Sequence, residues 1–165
     1  MSMQLRKLCG ALALALACAP AFAADAPKVG SPFPALDGFS LEGKVPDTKG
    51  KVVIVDFWAS WCGPCVKSLP AFKELHEKFA DKGLVIIAVS VDEEKAAMDT
   101  FLKKTPVPFA VVRDAEEKLQ KRIDLSGVPV TYILDRQGVI RVIHDGYAGD
   151  DTKKEYLAQV EALLK

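Results

Sequence analysis

The sequence predicts an α/β fold, a central mixed β-sheet with helices on both faces, and three observations carry that reading. Residues 51–59 (KVVIVDFWA) and 84–91 (LVIIAVSV) are short runs rich in β-branched residues, the composition of strands buried on both faces. Between them Val66, Leu69, Phe72, Leu75 and Phe79 recur at spacings of three and four. That is the period of a helix with one buried face, so the two strands it links are parallel. Near the end, residues 130–134 and 139–144 flank Asp135-Arg136-Gln137-Gly138, a polar turn that makes them an antiparallel hairpin.

The remaining elements follow in order. Residues 25–34, with Pro27, Pro32 and Pro34, form an extended lead-in, and the chain stays turn-rich through Gly50. The first helix begins at Cys62, is kinked at Pro70 and ends at Gly83. Asp92 is placed to cap a helix over residues 93–104, which Pro106 and Pro108 stop. A short strand, FAVV, comes next. Asp114 with Glu117 three residues on resembles a capping box and starts a helix through Ile123. A last amphipathic helix over residues 152–164 buries Tyr156, Val160, Leu163 and Leu164.

The 165 residues fit one domain, and 22 basic residues balance 22 acidic ones. With no basic stripe to neutralise a phosphate backbone, nucleic acid is not an expected partner. Residues 1–23 differ in kind. Arg6 and Lys7 precede an apolar run that ends in Ala21-Phe22-Ala23, the pattern of a secretory signal peptide cut after Ala23. Pro20 breaks that run short of the ~20 apolar residues of a membrane span. A minor alternative is Leu16-Ala17-Cys18, a poor match to a lipoprotein site, with Cys18 as a lipidated terminus. Residues 24–165 are then a single exported domain. Cys9 and Cys18 leave with the signal, so Cys62 and Cys65 are the only thiols in a compartment where disulfides persist.

Those two cysteines stand in Trp61-Cys62-Gly63-Pro64-Cys65 and admit three readings. A metal site needs two further ligands, and the only soft candidates are the isolated His76 and His144. A structural staple over so short a loop contributes only about 2 kcal/mol. A redox pair has a positive physical case. Cys62 opens a helix, where free N–H groups and the dipole favour the thiolate, and Cys65 lies one turn inside and more buried. Cys62 then attacks a substrate disulfide and Cys65 resolves the mixed disulfide. Pro64 fixes the first turn without forfeiting a needed N–H, and Gly63 lets a substrate approach closely.

WCGPC preceded by VDFWAS, Pro70 five residues after Cys65, and GVPVTYILD near the end together resemble thioredoxin. The long segment over residues 93–123 makes the chain more similar to the TlpA/ResA-like secreted disulfide reductases, across nearly all of residues 24–165. The resemblance implies a thioredoxin fold with an extra strand and helix before the hairpin. It implies that Pro129 is cis and lies against the dicysteine, and that Val128 offers its backbone to a substrate strand. It also implies that Asp56 is a buried acid behind Cys65 that takes or relays its proton. By sequence Asp56 is the odd residue of its strand, poorly solvated among Val53, Val55 and Phe57, so its pKa is expected to rise. Thioredoxins often carry a lysine near this acid, and the aligned position here is Ala88. Trp61, beside the nucleophile, is assigned to the substrate. The opening GSPFPALDGFS is vaguely like peroxiredoxins, whose Pro- and Thr-containing cysteine motif is absent.

The expected function is thiol–disulfide exchange with protein substrates, in the reducing direction, in the periplasm. It needs no bound cofactor or metal, is carried by a monomer, and depends on a membrane electron donor. A redox sensor or copper-handling module is the alternative, against which the CxxC spacing argues.

Overall fold

The structure, a computed structural model, describes residues 26–165; the predicted signal peptide, Cys9 and Cys18 lie outside the described residues. Five strands form one sheet in the order β3-β2-β1-β4-β5. Strand β1 (Val52–Trp58) is buried at every position, as expected of a central strand that is apolar but for Asp56. It runs parallel to β2 (Leu84–Ser90), and β2 runs parallel to β3 (Ala110–Arg113). On its other side β1 pairs antiparallel with β4 (Val130–Leu134), which forms the predicted hairpin with β5 (Ile140–Asp145). The sheet is therefore mixed.

Helix α1 (Gly63–Phe79) joins β1 to β2 and α2 (Lys95–Lys104) joins β2 to β3. Right-handed crossovers that step in one direction put their helices on one face. Accordingly Met98 and Phe101 of α2 share a core with Leu69, Phe72 and Leu75 of α1 and with Tyr156 and Val160 of α4 (Asp150–Leu164). The opposite face is covered by α3 (Lys118–Arg122), through Leu119, and by Phe33 and Leu36 of the lead-in. The lead-in is more than a tether: it also bridges Pro32 to Val139 and Glu42 to Arg113. Gly43, at φ +119°, sits where a Cβ would come within 2.9 Å of the Val111 carbonyl oxygen. Gly43→Ala is expected to cost ~2 kcal/mol, read as a lower urea midpoint, from backbone strain at that φ. An unchanged midpoint would show that this bridge carries no stability.

Several sequence expectations are corrected here. Helix α1 stops at Phe79, and a short 3-10 turn (Ala80–Lys82) follows it before Gly83, whose φ of +97° ends that turn. Asp92 does not cap α2: the N-cap is Glu94, with no side-chain cap bond, because the Asp92 carboxylate is buried and committed elsewhere. The Asp114–Glu117 pair forms no capping box. Asp114 reaches past the helix start to accept the Gln120 backbone N–H at 2.8 Å, and Glu117 sits at φ +54°, so α3 is only one turn long. The last helix starts at Asp150, where Gly149 at φ +79° turns the chain, and buried Thr152 accepts the Ala148 N–H at 3.1 Å. Leu163 and Leu164 are only partly buried against the core.

Candidate active site

Strand β1 delivers the chain to its C-terminal edge, where open α/β sheets hold their chemistry. The turn Ala59–Trp61 is pinned there by Asp92, whose carboxylate accepts the Ser60 N–H at 3.0 Å, the Ser60 hydroxyl at 2.7 Å and the Ser90 hydroxyl at 2.7 Å. Sequence reading missed Asp92 in this role. Its signal was a carboxylate two residues past a buried strand, which also fits a helix cap.

Cys62 is the N-cap of α1, and its sulfur accepts the Cys65 N–H at 3.2 Å. Cys62 and Cys65 are joined by a disulfide, so the structure is that of the oxidised protein. The two sulfurs are not equivalent. Cys65 is fully enclosed while Cys62 retains 5% exposure, and Trp61 beside it is 70% exposed. Trp58 by contrast is core, its ring 5.4 Å from that of Phe101. Gly63 and Pro64 lie exposed on the rim. A Cβ at Gly63 would meet nothing within 4 Å among the described residues, so their packing does not demand glycine there.

Pro129 is buried, and the Val128–Pro129 peptide is cis. The Val128 carbonyl oxygen lies 3.7 Å from Cys62 Sγ. The cis proline and the dicysteine, with Val128 and Cys62 66 positions apart in sequence, thus meet at the mouth of the site, as the resemblance implied.

Asp56 is fully buried between Ile54 and Trp58, which face the core containing Cys62, Cys65 and Tyr156. Strand alternation puts Val53, Val55 and Phe57 on the opposite face, so the apolar neighbours expected from sequence are not its surroundings. Instead the Thr131 hydroxyl donates to Asp56 Oδ1 at 2.7 Å, and Thr131 Oγ1 lies 2.9 Å from the Tyr156 hydroxyl. Oδ2 has no partner. The residue in register with Asp56 on β2 is Ala88, so no cation faces the acid from that strand. Burial outweighs the Thr131 hydrogen bond and pushes the Asp56 carboxyl up to about 7. Such a group exchanges a proton near neutral pH.

Residues 19–143 match the AhpC/TSA family. The chain belongs to that family. The match takes in the opening GSPFPALDGFS segment. A thiol–disulfide oxidoreductase ResA of Bacillus cereus is 34% identical over 153 residues, covering 90% of this chain and 86% of that protein. ResA of Bacillus subtilis (strain 168) is 37% identical over 98 residues, 59% of this chain and 55% of the relative. A Chlorobium tepidum structure assigned as thiol:disulfide interchange protein DsbE superposes with a TM-score of 0.78 at 31% identity, covering 85% of this chain and all of that one. StoA of Bacillus subtilis superposes with a TM-score of 0.58 at 26% identity, over 68% of this chain and 85% of its own. The family member described here has the thioredoxin fold and is a thiol–disulfide oxidoreductase, with the Cys62–Cys65 pair at its site.

Proposed function

We propose that the protein is an exported disulfide reductase in which Cys62 attacks, Cys65 resolves and Asp56 accepts the resolving proton. The observation that carries this reading is the asymmetry of the two sulfurs: Cys62 at the helix N-terminus beside Val128, Cys65 enclosed behind it. The Cys62 thiolate attacks one sulfur of a substrate disulfide, forming the mixed disulfide and releasing the other substrate sulfur as a thiolate. Cys65 gives its proton to Asp56, and its thiolate attacks Cys62 Sγ. The mixed disulfide breaks, the second substrate thiolate departs, and the Cys62–Cys65 disulfide is left. The substrate gains two electrons and the enzyme loses two.

Substrate contact falls to exposed Trp61, the rim at Gly63 and Pro64, and the Val128 backbone held by Pro129. The N-terminal Arg6-Lys7, apolar run and Ala21-Phe22-Ala23 support export to the periplasm, cleavage after Ala23 and a mature domain over residues 24–165. A monomer there needs a membrane dithiol donor to return it to the reduced state, because the compartment favours disulfides.

The test is to trap thiols in intact cells with acid and an alkylating agent and to sequence the periplasmic protein's N-terminus. The expected result is a chain beginning at Ala24 with both cysteines predominantly alkylated. A predominantly disulfide form would assign the opposite direction, and a lipidated Cys18 terminus would place the enzyme on the membrane.

A further inference from the structure

We propose that Thr131 and Tyr156 are positioning residues for Asp56, forming a one-way hydrogen-bond chain that fixes Oδ1 as an acceptor and leaves Oδ2 as the single atom at which the proton is exchanged. This rests on the reading of Asp56 as the proton acceptor.

The direction of the chain follows from counting protons. A threonine hydroxyl has one hydrogen, and at 2.7 Å it is given to Asp56 Oδ1. The 2.9 Å contact between Thr131 and Tyr156 must then be donated by the tyrosine hydroxyl. Burial keeps that phenol protonated, since it raises the energy of the phenolate. Each hydroxyl thus has one acceptor, and the chain ends on Oδ1. Asp56 can gain a proton at Oδ2, which is buried and unpartnered, without disturbing a link. The chain is the same in both protonation states, so no hydroxyl need turn while Asp56 titrates. Its effect is to favour the carboxylate against the burial that opposes it.

The parts come from three directions. Thr131 is in register with Asp56 on one side and with His144 of β5 on the other, and Tyr156 reaches down from α4. The charged or titratable groups around the chain are Cys62 and Cys65 from α1, His144 with its ring edge-on to Tyr156 at 4.8 Å, Tyr147 stacked at 6.3 Å, and Glu155, 3.6 Å from His144. Neither the spacing nor the composition of the sequence marks Thr131; Tyr156 reads there as core alone.

The test is a carboxyl NMR titration of Asp56 in the oxidised protein, where no thiol titrates, paired with the pH profile of mixed-disulfide resolution. Thr131→Val is expected to raise the Asp56 midpoint by about one pH unit, the effect of losing one hydrogen bond to a charged group. Tyr156→Phe should shift it in the same direction by less, and Thr131→Ser should titrate like the wild type. The resolution profile should follow in the same order, and neither Thr131→Val nor Tyr156→Phe should move it in an Asp56→Asn background. An unmoved midpoint in Thr131→Val overturns the proposal. So does a kinetic shift that survives in Asp56→Asn, since another group such as His144 would then carry it. If instead the midpoint moves as expected while Asp56→Asn keeps the wild-type profile, the chain stands and Asp56 is removed from the reaction.

Discussion

Asp56→Asn is expected to stabilise the protein at pH 7 and to slow its turnover. Moving the carboxyl from 3.8 to about 7 means the folded state binds this proton more tightly than the unfolded state. The stabilisation from that tighter binding is complete below the unfolded pKa. It is lost as pH rises through the window from 3.8 to about 7, beyond which the penalty levels off. At pH 7 the fold therefore carries a penalty of roughly 4 kcal/mol. Asparagine removes the charge and can still accept from Thr131, but it buries an amide where Oδ2 has no partner, at a cost of roughly 1–3 kcal/mol. The net gain is roughly 1–3 kcal/mol, seen as a higher urea midpoint at pH 7 that shrinks as pH falls and reverses near pH ~4, where the charge penalty is gone and the amide cost remains. The reduction rate of a protein disulfide should fall by roughly a hundredfold, the lower end of what a general base contributes. A variant less stable than the wild type at pH 7 would mean that the carboxylate is better satisfied than the Thr131 bond alone allows. An unchanged rate would remove Asp56 from the mechanism.

The cysteines should separate the two half-reactions. Cys62→Ser is expected to abolish both, because the enclosed Cys65 cannot meet a folded substrate's disulfide. Cys65→Ser should attack once and stop. In the reduced wild type, alkylation should fall first on Cys62 and proceed at a pH below the ~8.5 of a free thiol, since its sulfur sits at the start of α1 and accepts the Cys65 N–H. Faster alkylation of Cys65 would reverse the assignment of nucleophile and resolver.

What the sequence made legible is the part dictated by local pattern. The β1 run read as a buried strand from its length and β-branched residues, the three-and-four spacing after Cys62 as an amphipathic helix, and the polar turn at residues 135–138 as the closing of a hairpin. The dicysteine and Pro129 were legible as one site through resemblance, since nothing in composition links segments so far apart in the chain. Asp56 stood out as a carboxylate in an apolar run, yet its environment was misjudged. Its sequence neighbours face the other side of the sheet, and its real partners arrive from β4 and α4. Asp92 and Asp114 show the same limit. An acid before a helical pattern reads locally as a cap, whereas these two are buried and tie a neighbouring loop and helix in place. The extended lead-in and the turn-rich stretch after it carry apolar residues with no period, so their packing was not legible, although Phe33 and Leu36 close the second core.

The most direct measurement of the central claim, that Cys62 and Cys65 exchange disulfides with proteins through a mixed intermediate, uses Cys65→Ser expressed in its native cells. After acid quenching and alkylation, the variant is captured by affinity tag and resolved without reductant. The account predicts covalent adducts that require Cys62 and collapse to the free chain on reduction. Recovery of the free chain alone, with Cys62 alkylated and no adduct, would contradict it.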